Sequence, residues 1–245
     1  MEARSGPVAL VGSGEFLDAM VGVDTGLLAG RAPRVAIVPT AASLEGAARV
    51  AWWLELGRRH YEGMGVQSVA LPVGNRAEAD EPEMARLIEG VGLVYLSGGD
   101  PHHLASVLRG SRVWAAIVAA WHGGAALAGC SAGAMALTSG APSDLGPGGA
   151  RRAGGEEVDG LRLIGRLAVI PHFDLMQRRR SDIVERFARW QPAGTTLVGV
   201  EEETALVGEG AGWRVEGSGA VWVFGPGSPE RFIAGESVPL EPASR

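Results

Sequence analysis

Residues 126–137 read ALAGCSAGAMAL, and this stretch decides which fold the chain adopts. An apolar segment that ends at Cys130 leads into the motif G-x-S-x-G, and a run of small residues typical of a helix start follows. In α/β enzymes this order marks a sharp turn between a strand and a helix, which lifts the central side chain above the end of the sheet. The motif therefore predicts Ser131 as a nucleophile and the Ala132 N–H as a donor to an oxyanion. Cys130 is predicted to point back into the sheet as a small apolar side chain.

On the N-terminal side of this turn, short apolar segments alternate with longer amphipathic ones. The predicted strands are Val8–Val11, Arg34–Pro39, Val66–Leu71, Leu93–Leu96 and Ala126–Cys130. The predicted helices are Phe16–Leu28, Ser43–His60 with Ser43 as its N-cap, Glu81–Glu89, His103–Leu108 and Val113–His122. Continuous apolar strands are what a parallel sheet covered on both faces requires. The pattern predicts an α/β fold with a doubly wound, mostly parallel sheet flanked by helices.

The C-terminal part of the chain differs in composition and in the spacing of its apolar segments. Gly140–Gly155 is rich in Gly, Pro and Ala and predicts a long loop, while Leu167–Ile170 predicts a strand and Ser181–Trp190 a helix. From Thr195 onward, glycines separate the short apolar segments TTLVGV, TALVGEG, WRVEGS and AVWVFGPG. These segments predict antiparallel C-terminal strands added to one edge of the sheet. No repeat or low-complexity linker divides the chain, so we predict one domain over residues 1–245.

The composition excludes several kinds of chemistry. All 22 basic residues are arginines, so there is no lysine for a P-loop, a Schiff base or a Ser-Lys dyad. A single cysteine permits neither an intrachain disulfide nor a cysteine-based zinc cluster. We expect no metal and no cofactor. The formal net charge of −6 argues against a nucleic-acid partner.

The N-terminal sequence predicts the location of the protein. MEARSG runs directly into Pro7–Val11 without the apolar core and small-residue cleavage site of a signal peptide. No stretch approaches the ~18 apolar residues of a membrane span. We therefore expect a cytoplasmic protein with no membrane partner. Exposed tryptophans among Trp52, Trp53 and Trp190 would favour a homodimer.

Among the five histidines, His172 is the predicted general base. It follows the predicted strand Leu167–Ile170 at its carboxyl end, the edge at which open α/β sheets form their sites. His60 and His122 are interpreted as a solvated helix end and a helix C-terminus.

Two candidates remain for the acid that orients the imidazole. One is Glu202, in the acidic run Glu201–Glu203 after the segment TTLVGV, and the other is Asp144, in the loop that follows the turn at Ser131. One acid of such a run can face a site while its neighbours face water.

Five segments occur in an order that resembles peptidase family S51, which includes cyanophycinase and aspartyl dipeptidase. They are GSGE (12–15), YLSGGD (95–100), GCSAGAM (129–135), PHFD (171–174) and GVEEETAL (199–206). The resemblance covers Val8 to Val207. It implies a class I glutamine amidotransferase-like fold in which serine replaces the cysteine nucleophile, and hydrolysis of peptides that bear an aspartyl group.

The resemblance also implies roles for further residues. Gly98 and Gly99 of the SGGD turn would donate to the oxyanion together with Ala132, and the second acid of the family pattern falls on Glu202. Aspartyl dipeptidases instead take their acid from the loop near Asp144. Departures from cyanophycinases are Pro101 and Pro171, where those proteins typically carry glutamine, and Met176 at one expected arginine.

Candidate substrate-binding residues are Asp100, Arg178 and Arg180. Guanidinium groups bind carboxylates in a two-pronged geometry, and the arginines lie within a few residues of His172. The alternative is a solvated helix start. The sequence thus predicts a serine-type peptidase that hydrolyses Asp-containing or β-aspartyl bonds of small peptides. The alternatives are a non-catalytic binding module of the same fold and a cyanophycinase proper.

Overall fold

Two β-sheets form the centre of the structure, a computed structural model that describes residues 5–140, 159–189, 194–209, 212–225 and 227–241. The strands are β1 (Val8–Val11), β2 (Arg34–Val38), β3 (Gln67–Ala70), β4 (Leu93–Leu96), β5 (Ala126–Cys130), β6 (Leu167–Ile170), β7 (Thr196–Val200), β8 (Thr204–Glu209), β9 (Gly212–Gly217), β10 (Ala220–Phe224), β11 (Glu230–Ile233) and β12 (Ser237–Val238).

The main sheet has eight strands in the order β12-β9-β8-β1-β5-β4-β2-β3. The five strands from β1 to β3 in this order run parallel to one another. The strands β8, β9 and β12 extend the sheet beyond β1 in antiparallel pairings. The predicted α/β fold with a mostly parallel sheet and antiparallel C-terminal strands is therefore confirmed.

Both faces of the main sheet are covered, which explains the continuous apolar strands. Along β1, Val8 and Leu10 belong to one buried cluster, and Ala9 and Val11 belong to another on the opposite face. The same alternation recurs along β2 and β4. Since all positions of β1 and β4, and those of β2 after Arg34, meet a packed layer, apolar side chains are favoured there.

Helices and two short 3-10 segments connect the strands. The 3-10 segments are Asp18–Met20 and Thr40–Glu45, and the helices are α1 (Val21–Leu28), α2 (Ala47–Gly63), α3 (Arg76–Ala79), α4 (Pro82–Arg86), α5 (Pro101–Leu108), α6 (Arg112–His122), α7 (Ala132–Leu137), α8 (Phe173–Arg179) and α9 (Ile183–Ala188).

Two predicted helix starts were wrong. The segment from Phe16 begins as a turn, because Phe16 has a φ of 66° and α1 starts only at Val21. Ser43 does not cap α2. It lies inside a 3-10 segment, and its hydroxyl donates to the carbonyl of Gly74 at 3.0 Å.

The second sheet corrects the predicted arrangement of the C-terminal strands. Its order is β11-β10-β7-β6, with β6 and β7 parallel and the other pairs antiparallel. The segments TTLVGV and AVWVFGPG, which form β7 and β10, were predicted at the edge of the main sheet. They pair with each other instead, and β7 also pairs with β6. One face of the second sheet packs on a buried cluster that includes Phe173, Phe187 and Phe224. Its other face joins the buried cluster of the main sheet through Val169, Val198 and Val221. A short buried strand needs a partner and two covered faces, but its own sequence does not specify which partner it takes.

The chain crosses from the second sheet to the main sheet at residues 201–203, between β7 and β8. Gly12, at the end of β1, lies against this crossing, and a Cβ there would be 2.0 Å from the carbonyl oxygen of Glu201. The Gly12 N–H donates to the carbonyl of Thr204 at 2.9 Å. This close approach places the acidic run beside the carboxyl edge of the main sheet.

Among the described residues, no helix combines the length and apolar composition that crossing a membrane requires. Trp52 is 47% exposed, Trp53 is half-buried, and Trp190 lies outside the described residues. The homodimer therefore stays a prediction.

Candidate active site

The turn between β5 and α7 has the strained geometry that the motif predicted. Ser131 has φ 49° and ψ −108°, a backbone conformation that L-residues rarely adopt. A Cβ on Gly129 would lie 2.5 Å from the backbone of Gly133, and one on Gly133 would lie 2.4 Å from the carbonyl oxygen of Leu96. The two glycines let the strand, the turn and the helix approach closely enough for Ser131 to stand at the sheet edge.

His172 reaches Ser131 from the second sheet. It follows β6 in a left-handed conformation, with φ 52° and ψ 36°, directly before α8. Its Nε2 lies 3.0 Å from the Ser131 Oγ, within hydrogen-bond distance. The side chain is 21% exposed, so part of the imidazole remains accessible to solvent.

Glu202 completes a chain of hydrogen-bonding groups. Its Oε1 lies 3.0 Å from the His172 Nδ1, on the opposite side of the ring from Ser131. The structure thus brings together Ser131, His172 and Glu202. Asp144, the alternative acid, lies outside the described residues.

The three consecutive acids differ in their surroundings. The Glu201 carboxylate is buried and accepts hydrogen bonds from the Ala220 N–H at 2.9 Å and the Trp222 indole at 3.0 Å. Glu203 has a φ of 51°, and its carbonyl accepts from the Ser218 N–H at 2.9 Å. One acid therefore anchors the second sheet, one faces the imidazole, and one forms the turn into β8.

Asp174 positions Glu202, a role that the sequence reasoning missed. Its Oδ1 accepts from the Glu202 backbone N–H at 2.9 Å, and its Oδ2 pairs with Arg178. The Arg178 guanidinium also lies 3.8 Å from the Glu202 carboxylate. The signal was present, because Asp174 stands two residues after His172 in the PHFD segment.

The predicted substrate-binding residues have partners of their own. The exposed Arg178 borders the site, whereas Arg180 pairs with Asp182 at 3.2 Å and lowers the pKa of that carboxyl. The Asp100 Oδ1 caps α5 by accepting from the His103 N–H at 2.8 Å. Only Arg178 of these three contacts the group around His172.

The SGGD turn requires a correction to the predicted oxyanion donors. The Gly98 N–H is already engaged, because it donates to the buried Oε1 of Glu15 at 2.9 Å. The N–H groups of Gly99 and Ala132 have no acceptor among the described residues. The structure therefore leaves Gly99 and Ala132 as free donors, and a single N–H cannot serve a second acceptor at full strength.

Cys130 points into the sheet, as predicted, and is fully buried. Its thiol donates to the Glu15 Oε2 at 2.8 Å. Burial holds the pKa of the Cys130 thiol well above its ordinary value, and the negative charge of Glu15 raises this pKa further.

The raised thiol pKa predicts a pH-dependent stability. Above the ordinary thiol pKa of about 8.5, the unfolded chain loses the Cys130 proton while the native protein retains it. Because the unfolded state then binds fewer protons, the free energy of unfolding falls by up to about 1.4 kcal/mol per pH unit. Urea unfolding of wild type and Cys130→Ala at several pH values measures this contribution. The difference between them should be constant at neutral pH and change above pH ~8.5; a constant difference throughout would contradict the prediction.

The interpretation of His60 as a solvated helix end was wrong. Its side chain is buried, and Nε2 lies 2.7 Å from the buried Asp24 carboxylate. Burial raises the pKa of Asp24, and the hydrogen bond with His60 opposes this effect. Within the described residues, no cluster of three or more His, Cys, Asp or Glu side chains could hold a metal ion.

Comparison with known proteins assigns this chain to a family. The family model of peptidase family S51 matches residues 10–215. The chain belongs to peptidase family S51. The resemblance predicted from five sequence segments is therefore confirmed, and all the described site residues of this S51 protein fall inside the matched region.

Curated relatives of this S51 protein include cyanophycinases from Trichormus variabilis and from a Nostoc species. Each is 32% identical over 174 residues, which is 69% of this chain and 57% of the relative. The match thus covers a little over half the length of those relatives.

Two solved structures resemble the whole fold. A peptidase from an acI-B1 Actinobacterium has a TM-score of 0.86 and 34% identity, with 97% of this chain and 98% of that chain covered. A putative peptidase E protein from Listeria monocytogenes has a TM-score of 0.64 and 17% identity, with 87% and 98% covered. The second likeness concerns the fold alone.

Proposed function

We propose that this S51 protein is a serine peptidase that forms an acyl-enzyme on Ser131. The observation that carries the proposal is the chain of two contacts, each 3.0 Å, from the Ser131 Oγ through His172 to Glu202. A hydroxyl is a weak nucleophile at neutral pH and needs an adjacent base, and the base needs a group that orients it.

In the acylation step, the Ser131 Oγ attacks the carbonyl carbon of the scissile peptide bond. Its proton passes to the His172 Nε2, while Glu202 accepts from Nδ1–H and stabilises the imidazolium that forms. The N–H groups of Gly99 and Ala132 donate to the developing oxyanion. His172 then returns the proton to the departing amine as the C–N bond breaks.

In the deacylation step, a water molecule replaces the amine. His172 takes one proton from this water, and the resulting hydroxide adds to the ester carbonyl. Collapse of the second tetrahedral intermediate breaks the bond to Ser131, which regains its proton from His172. The products are an amine and a carboxylic acid, and the enzyme returns to its initial protonation state.

We further propose short peptides bearing an aspartyl group as substrates. Membership of family S51 supports aspartyl peptides, and the exposed Arg178 guanidinium, 3.8 Å from the Glu202 carboxylate, could pair with a substrate carboxylate. Such a carboxylate would compete with Asp174 for the same guanidinium. Pro101 and Pro171, where cyanophycinases typically carry glutamine, favour a substrate other than cyanophycin itself.

An active-site fluorophosphonate probe tests the proposal. Wild type should be labelled covalently and Ser131→Ala should not, because the probe reacts only with an activated serine. A library of aspartyl peptides, α- and β-linked, should show cleavage by wild type alone. Equal labelling of both proteins, or labelling of neither with no peptide cleaved, would instead indicate a non-catalytic protein that retains the pocket.

A further inference from the structure

We propose that Glu15 is a positioning residue that sets the oxyanion hole by joining the SGGD turn to the strand that carries Ser131. This inference rests on the proposed serine peptidase function. Glu15 has two hydrogen-bond partners at the ends of two neighbouring strands. One is the Gly98 N–H, which follows β4, and the other is the Cys130 thiol, at the end of β5. Cys130 directly precedes Ser131, so one carboxylate connects both halves of the oxyanion hole.

The backbone around Glu15 is built to direct its side chain inward. Gly14 has a φ of 83° and Phe16 a φ of 66°, so two left-handed residues flank the glutamate. The Phe16 ring is buried and packs against Tyr95, with ring centroids 5.0 Å apart, and against Tyr61 and His60. This anchor holds Glu15 in place at 7% exposure.

The hydrogen bond from Glu15 helps to fix the backbone of the SGGD turn. The two residues before Gly99 and the one after it each have an acceptor for their N–H: Ser97 donates to Val38 O at 3.2 Å, Gly98 to Glu15 at 2.9 Å and Asp100 to Ala41 O at 2.8 Å. Gly99 alone has none among the described residues. Glu15 thus fixes the orientation of the peptide unit directly before the one whose N–H is left for the oxyanion.

Close packing makes this orientation matter. A Cβ on Gly98 would lie 3.5 Å from the Ser131 Cβ, and one on Gly99 would lie 2.3 Å from the carbonyl of Ala41. The turn therefore passes between the nucleophile and a neighbouring loop with no spare room. If Gly98 lost its acceptor, a buried N–H would be left unpaired, and rotation of the peptide unit to satisfy it would displace the Gly99 N–H.

The groups around Glu15 suit an ionised carboxylate that only accepts hydrogen bonds. Both partners of Glu15 are donors, one on each oxygen. The raised pKa of the Cys130 thiol keeps its S–H protonated and able to donate. A carboxylate held between two donors keeps a single rotamer, as a group that sets the position of others must.

The test compares three substitutions of Glu15. Glu15→Ala removes the acceptor, and Glu15→Asp shortens the side chain by one methylene so that it cannot reach both partners. Each should lower kcat by about 30-fold or more with KM changed less than about threefold, since loss of one oxyanion donor costs about 10²–10³ in kcat. Glu15→Gln retains an amide oxygen for the Gly98 N–H and should keep kcat within about tenfold of wild type. The rate of fluorophosphonate labelling should fall in the same order.

Glu236→Ala is the control, because the Glu236 Oε2 also accepts a backbone N–H, that of Ile233 at 2.8 Å, but lies between β11 and β12 rather than at the SGGD turn. It should leave kcat unchanged. Retention of kcat by Glu15→Ala or Glu15→Asp would overturn the proposal, as would a Glu15→Gln variant as slow as the other two. If Glu15→Ala fails to fold, the kcat of Glu15→Gln compared with that of Glu15→Asp decides the question. The absence of Ser131-dependent labelling in wild type would instead refute the proposed function.

Discussion

Replacement of Ser131 by alanine, of His172 by alanine, or of both is expected to lower kcat/KM by about the same factor, in the range of about 10³–10⁶. The reason is that the two side chains act as one unit across the 3.0 Å contact between Oγ and Nε2. Without the serine there is no hydroxyl for His172 to deprotonate, and without the histidine no base activates Ser131. The remaining rate would come from substrate binding and from the donors of the oxyanion hole.

This double-mutant cycle is measured by steady-state kinetics on an aspartyl peptide that wild type cleaves. Ser131→Ala, His172→Ala and the double variant are compared with His122→Ala, which removes an exposed histidine whose Nδ1 lies 2.9 Å from the Ser5 hydroxyl. The control should retain wild-type activity. Losses that multiply in the double variant would show that the two residues act independently and would refute the shared relay.

Glu202→Gln is expected to lower kcat by about 10²–10⁴ while the protein remains folded. Glutamine has the size of glutamate, but its amide group turns toward Nδ1 either an oxygen without full charge or an N–H that cannot accept. The imidazole then loses the partner that selects its tautomer and stabilises its protonated form. Measurement of kcat together with the melting temperature separates this loss from a loss of stability.

The adjacent acid provides a control in the same segment. Glu203→Gln changes the charge by the same amount, but Glu203 forms the turn into β8 and does not contact His172. The activity of Glu203→Gln should stay within about threefold of wild type, because glutamine keeps the size of the half-buried side chain and the turn is formed by the backbone. If Glu202→Gln were as active as Glu203→Gln, the acid would have to come from elsewhere, and Asp144→Asn would identify it.

The candidate nucleophile and base could be predicted because their local sequences carry the signal. A G-x-S-x-G motif between an apolar strand and a small-residue helix has few structural solutions, and Gly129 and Gly133 are required by backbone contacts at 2.4–2.5 Å. His172 was found because it follows a short apolar strand, and the carboxyl ends of such strands form the sites of open sheets.

The role of each acid was harder to predict. Glu201, Glu202 and Glu203 are chemically identical, and their sequence spacing does not show which one faces inward. The structure separates them by what each meets: Trp222 and Ala220 for the first, His172 for the second, and a tight turn for the third. The order of the family pattern favoured Glu202, in agreement with the geometry.

The sequence by itself determined the α/β class, the turn that carries Ser131 and the short apolar strands after which His172 and Glu202 lie. These features depend on local apolar periodicity and on glycines at positions where a side chain cannot fit. Only the tertiary structure decided that β6 and β7 form a second sheet, that Glu15 occupies the Gly98 N–H, and that Asp174 holds the backbone of Glu202. The reason is physical: a hydrogen bond between residues 83 positions apart depends on how the whole chain packs, and no local pattern encodes it.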